Sequence, residues 1–120
     1  MLFIRFVFVS YIPYNVEIGP GVSFGHKIGI VINPSAKIGA RVKIRHFVGI
    51  AGGPVTIGDD VEIGAGARLM GRITIGNGAK IGANACVVKD VPPNVTVVGV
   101  PARIVRWHTD ARSTPEVAEG

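Results

Sequence analysis

The chain has 120 residues, 48% of them hydrophobic, with a formal net charge of +5 and a single cysteine. That length suits one domain, and the lone Cys86 excludes an internal disulfide and fits a reducing, cytoplasmic setting. No apolar run reaches the ~18–20 residues of a membrane span, and basic residues scattered singly among few aromatics argue against nucleic acid while suiting a small polyphosphate ligand.

Residues 1–11 read as an amino-terminal cap segment. Met1 to Val9 is apolar, yet it is too short to cross a bilayer and has no small-residue cleavage site of a leader. The expectation is that it closes the open end of the first structural repeat or covers an interface.

From Ile12 onward a large apolar residue recurs at every sixth position. The series runs Ile12, Ile18 and Phe24, then Ile32, Ile38, Ile44 and Ile50, then Ile57, Ile63, Leu69, Ile75, Ile81 and Val87. The phase slips by two residues before Ile32 and by one before Ile57. A glycine follows at Gly19, Gly25, Gly39, Gly58, Gly64, Gly76 and Gly82. Four places after the repeat residue stand Val16, Val22, Ile28, Ala36, Val42, Val48, Val61, Ala67, Ile73, Ala79 and Ala85. A helix needs a period of 3.6 and a half-buried strand a period of two. Six suits a short strand followed by a corner, and three such sides close a triangular coil of about 18 residues. The fold class predicted is all-β: a parallel β-helix of about five coils, stacked at roughly 4.8 Å, with stability arising from stacking because no coil can bury its own apolar face. The glycines are expected to take the backbone geometry of the corners.

His26 and His46 are each the third residue of their hexapeptide, and the two-residue slip between them puts them in register on adjacent coils. Both are expected on one outer flank, with Cα atoms roughly 5 Å apart. Histidine is the side chain suited to proton transfer near neutral pH, and two imidazoles this close favour the neutral form. From the residues alone, a pair of exposed surface histidines serves equally well. The polar stretch from residue 107 to 120 breaks the repeat and reads as a tail that is loose or wrapped on a neighbour.

Two segments carry a family resemblance. "IGAGARLMGRITIGNGAKIGANACVVKDVPPNVTVVGVPARIVR", from Ile63 to Arg106, resembles the coenzyme-binding half of the hexapeptide-repeat acyltransferases, and "GHKIGIVINPSAKIG", from Gly25 to Gly39, is similar to their serine O-acetyltransferase branch. The resemblance implies a left-handed β-helix over residues 12–106, a homotrimer, and acetyl-CoA bound between neighbouring prisms. It implies His26 as the general base that activates an acceptor hydroxyl. From its position beside His26 alone, His46 has three readings: orienting the acceptor, stabilising the oxyanion, or stacking on His26. Ala65 and Ala83 would offer backbone contacts to the pantetheine amides, and Lys89, Arg103 and Arg106 would face the coenzyme phosphates, for which Lys and Arg are natural partners. Cytoplasmic localisation and a place in cysteine biosynthesis follow from the same likeness.

The pattern also departs from that branch. Gly25 stands where a carboxylate commonly engages serine, Tyr11 where an Asp supports the base, and "GIAGGPVTIG" where a longer loop carries a second His. The large helical amino-terminal domain has no counterpart here, so the expected assembly stops at a trimer. A sugar or polysaccharide hydroxyl is therefore an alternative acceptor, and a non-catalytic hexapeptide-repeat scaffold a further alternative. No metal is expected: a hydratase of the carbonic-anhydrase type on this fold needs three protein ligands, and the prism face offers two histidines.

Overall fold

The structure is a computed structural model that describes residues 10–25 and 28–108. The cap at residues 1–9, the tail at 109–120 and the predicted base His26 lie outside the described residues.

Among the described residues the chain winds through fourteen short strands. The first coil holds β1 (Glu17–Ile18), β2 (Ser23–Phe24) and β3 (Val31–Ile32). The second holds β4 (Lys37–Ile38), β5 (Lys43–Ile44) and β6 (Gly49–Ala51). The third holds β7 (Val55–Ile57), β8 (Glu62–Ile63) and β9 (Arg68–Met70), and the fourth β10 (Ile73–Ile75), β11 (Lys80–Ile81) and β12 (Cys86–Val87). A last partial turn holds β13 (Val95–Val98) and β14 (Arg103–Trp107). Every third strand pairs in parallel, which makes three sheets: β1-β4-β7-β10, β2-β5-β8-β11-β13 and β3-β6-β9-β12. Isolated bridges from Tyr11 to Val31 and from Val91 to Ile75 extend two of the sheets at their ends.

Pairing register absorbs both slips. Phe24 lies beside Ile44, Ile38 beside Ile57, and Ile63 beside Ile81, so the repeat residues stack although their spacing varies. Corners hold the extra residues, because only the strands are tied by ladder hydrogen bonds. Inside the prism, Ile32, Ile44, Ile50, Ile63, Leu69 and Ile75 are almost wholly buried, with Val42, Val48, Val61, Ala67, Ala79 and Ala85 beside them. Removing each large aliphatic from water contributes about 1.5–3 kcal/mol.

The first coil differs from this pattern. Ile18 and Ile28 are 38% and 37% exposed, and Phe24 is half-buried, because among the described residues only Tyr11 pairs below this coil. Ile30 is fully buried instead, in the stretch that carries the two-residue slip.

The glycines after the repeat residue do a different job from the predicted one. None has a left-handed backbone; the left-handed corner residues come two positions later, at Gly21, Arg41, Asp60, Gly66, Gly78 and Asn84. The repeat glycines stand where successive coils touch. A Cβ on Gly64 would come 2.6 Å from the Ala83 nitrogen, and one on Gly19 2.7 Å from the Gly39 carbonyl carbon. Coil spacing at those contacts leaves no room for a side chain; at Gly25 an added Cβ would meet nothing nearer than 3.7 Å among the described residues.

At the far end the chain reverses through Gly99 to Ala102, and β14 runs antiparallel to β13, with Trp107 opposite Val95. His108 is tied down as well: its N–H donates to the Asn94 carbonyl across 2.6 Å, and its Nε2 lies 2.7 Å from Thr96 Oγ1. Among the described residues, no helix is long and apolar enough to cross a membrane.

Candidate active site

One corner of the prism gathers three of the residues singled out above. The Gly66 N–H donates to the His46 carbonyl across 3.0 Å, and the Asn84 N–H to the Ala65 carbonyl across 2.9 Å. These bonds stack His46, Ala65 and Ala83 on the same corner of the second, third and fourth coils. Together with Phe47, Gly66, Arg68 and Asn84 they line an open groove of about 350 Å³. The His46 imidazole is half-buried, and Ala65 and Ala83 present only methyl groups, so a slender chain can lie against the backbone. β2 and β5 pair with Phe24 beside Ile44, and the Gly25 N–H reaches the Ile44 carbonyl across 2.9 Å.

Phe47, Arg68 and Asn84 escaped sequence reasoning. Arg68 precedes a repeat residue and reads as a solvated strand position, yet its Nη1 donates to the Phe47 carbonyl across 2.7 Å and to the Gly66 carbonyl across 3.2 Å. Asn84 and Phe47 sit at left-handed corner positions. The signal that identifies Asn84 is its place two residues after Gly82, a step whose meaning emerges from the φ angles.

A second hollow, also about 350 Å³, opens between β12 and the antiparallel turn. Val87, Val91, Val97 and Ile104 form its apolar lining, and Lys89 and Arg103 both border it, with Asp90 between. β12 connects this hollow to the corner of Ala83. Arg106 falls elsewhere: it pairs opposite Thr96 on the exposed face of β14. There its charge, with that of Lys80 and after burial as the main cause, holds the His108 pKa below the ordinary imidazole value. Cys86 is half-buried on β12, its N–H donating to Gly99 O and its carbonyl accepting from Ala102 N.

Neither hollow has a metal-ligating cluster: no group of three His, Cys, Asp or Glu suited to an ion occurs among the described residues. The groove at His46 has a guanidinium and an amide in its lining but no carboxylate. It therefore suits neutral or anionic groups better than an ammonium.

Comparison with known proteins gives the class. Residues 54–89 match the family described as bacterial transferase hexapeptide (six repeats). The serine acetyltransferase of Mycobacterium tuberculosis is 44% identical over 104 residues, covering 76% of this chain and 45% of that protein. A soybean serine acetyltransferase solved in complex with serine superposes with a TM-score of 0.71 at 47% identity, covering 76% of this chain and 40% of that one. A serine acetyltransferase solved in complex with CoA gives 0.77 at 42% identity, covering 80% of this chain and 41% of that one. The chain is thus similar to the hexapeptide-repeat acyltransferases, and its three parallel sheets are consistent with their left-handed parallel β-helix. Within that family its likeness is to the serine acetyltransferase branch, although it spans less than half the length of the relatives just named.

Proposed function

We propose that this chain is an acetyl-CoA-dependent O-acetyltransferase, most like serine O-acetyltransferase, working as a homotrimer in the cytoplasm. The observation that carries the reading is the stacking of His46, Ala65 and Ala83 on one corner groove, with the chain running on through β12 to the hollow bordered by Lys89 and Arg103. That layout suits a co-substrate with a slender apolar arm and a phosphorylated end. Relatives solved with CoA and with serine support it.

In this mechanism the pantetheine arm lies against Ala65 and Ala83, and the phosphates face Lys89 and Arg103. The acceptor hydroxyl sits between His26 and the thioester carbon. His26 takes the hydroxyl proton as oxygen attacks, and His46 orients the acceptor or steadies the oxyanion. The tetrahedral intermediate collapses by breaking its carbon–sulfur bond. The proton held by His26 returns to sulfur, and coenzyme A leaves as the thiol. Arg106, opposite Thr96 on β14, adds positive potential toward the phosphates.

A second reading, transfer to a sugar hydroxyl, is favoured by one observation: Gly25 and the groove lining offer no carboxylate for an amino-acid ammonium. The test is an acceptor screen of the chain with acetyl-CoA and serine, homoserine or sugars, following free thiol. Serine-dependent release is the expected result. Release with sugars alone would transfer the assignment to the second reading, and no release above hydrolysis with any acceptor would overturn both.

A further inference from the structure

We infer that Phe47 is a positioning residue, whose ring sets the orientation of the His46 imidazole at the mouth of the transfer groove. The inference rests on the reading of that groove given above, and its evidence is the backbone. One corner of the prism repeats a left-handed residue on successive coils: Gly29 with φ 67°, Phe47 with φ 60°, Gly66 with φ 77° and Asn84 with φ 60°. The Phe47 N–H donates to the Ile28 carbonyl across 2.8 Å, the same step by which Gly66 and Asn84 join their lower neighbours. Glycine enters this conformation without penalty, and asparagine is favoured there by its short polar side chain. A phenylalanine is not, and a bulky residue at positive φ is an outlier that points to function.

Burial does not account for the choice. The Phe47 side chain belongs to a residue left 44% exposed, outside the core of the prism. The other left-handed residues without a glycine or amide side chain, Arg41 and Asp60, stack on each other in a two-point ion pair of 2.8 and 3.0 Å. Phe47 has instead three contacts that fix its ring and backbone. Its carbonyl accepts from Arg68 Nη1 across 2.7 Å. Its ring lies over Gly29, where an added Cβ would come 2.3 Å from Cδ1, so the coil below is bare to admit it. Finally, the ring meets the His46 imidazole edge-on, with centroids 5.5 Å apart and planes at 79°. Edge-to-face pairs have a preferred geometry, set by the negative face and positive edge of each ring. A clamped Phe47 therefore restricts the imidazole beside it.

The test is a pair of substitutions in the full chain, read by NMR of 13C-labelled histidine, with His46 signals assigned by their loss in His46→Gln. Phe47→Asn keeps the corner and removes the ring; Phe47→Tyr keeps both. In Phe47→Asn the His46 ring signals should move and broaden while the melting temperature holds or rises. The kcat should fall about tenfold to a hundredfold through misplacement, with KM for acetyl-CoA changed less than about twofold. Phe47→Tyr should match the unmutated chain in all of these. Unmoved His46 signals in Phe47→Asn, equal displacement by Phe47→Tyr, or a lower melting temperature in Phe47→Asn would each overturn the inference. An unmutated chain that releases no thiol would defeat the proposed activity, and the spectra would still decide the positioning.

Discussion

The backbone N–H of Gly66 donates to the carbonyl of His46 across 3.0 Å, which ties the corner bearing the imidazole to the coil bearing Ala65. Coil stacking thereby sets the distance between the corner that bears the His46 imidazole and the one that bears Ala65. The two histidines should differ in weight. His26→Ala is expected to lower the transfer rate by roughly 10²–10⁴-fold as loss of a general base. His46→Gln, which keeps an amide in place of the imidazole, should cost roughly tenfold as loss of orientation. Steady-state rates at saturating acetyl-CoA check both, and an unchanged rate in His26→Ala would remove that residue from the mechanism.

Gly25 is a place where the acceptor preference can be rewritten. Its φ lies outside the left-handed region, and among the described residues an added Cβ would come no nearer than 3.7 Å to Arg45 Cα and Ile44 O, an ordinary contact. Gly25→Asp should therefore fold normally. By offering a carboxylate to an ammonium it should lower KM for serine by about tenfold or more, the strength of a charge-assisted hydrogen bond. A serine KM that does not change would show that this position does not touch the acceptor.

Arg103 borders the second hollow with Lys89. Arg103→Ala should weaken coenzyme A by about tenfold or more, and dephospho-coenzyme A by less. Titration calorimetry with both ligands measures the difference; equal weakening would reassign the side chain away from the 3′-phosphate.

Stability should be most sensitive where coils touch. Gly64→Ala would thrust a methyl against the Ala83 nitrogen at 2.6 Å, where backbone must give way. Its melting temperature should fall sharply. Leu69 is fully buried, and Leu69→Ala should cost about 2–5 kcal/mol. Thermal or denaturant unfolding monitored by circular dichroism reads both.

His108 gives the fold a pH dependence. Burial, then the charges of Lys80 and Arg106, lower its folded pKa below the ordinary 6.5. Between the folded value and 6.5 the unfolded chain binds more protons, so stability rises with pH in that window. The contribution is fully present above 6.5 and is lost as pH falls toward the folded value. Melting temperatures at pH 5 and pH 8 should differ less in His108→Gln than in the unmutated chain.

Much of the fold was legible because one face of each strand must be dry. Leu69 and Ile75 repeat at six because each returns to the prism axis after one side of a triangle. The glycines were legible as part of the pattern but not in their purpose. Gly64 and Gly66 differ by two positions, and only φ angles and the approach of Ala83 distinguish a residue needed for contact from one needed for a left-handed turn. In the candidate site, Ala65 and Ala83 could be paired with His46 by counting coils. Arg68 could not, because its bond to the Phe47 carbonyl spans 21 residues and follows no period.

By itself the sequence determined the architecture: a six-residue apolar period leaves one economical way to bury those side chains. Tertiary structure alone decided that Phe47 stands in a glycine's conformation, that Arg103 and Lys89 border one hollow, and that His108 is tied to Asn94 and Thr96. Those outcomes depend on corner dihedrals and on a reversing strand, and neither leaves a periodic mark on the order of residues.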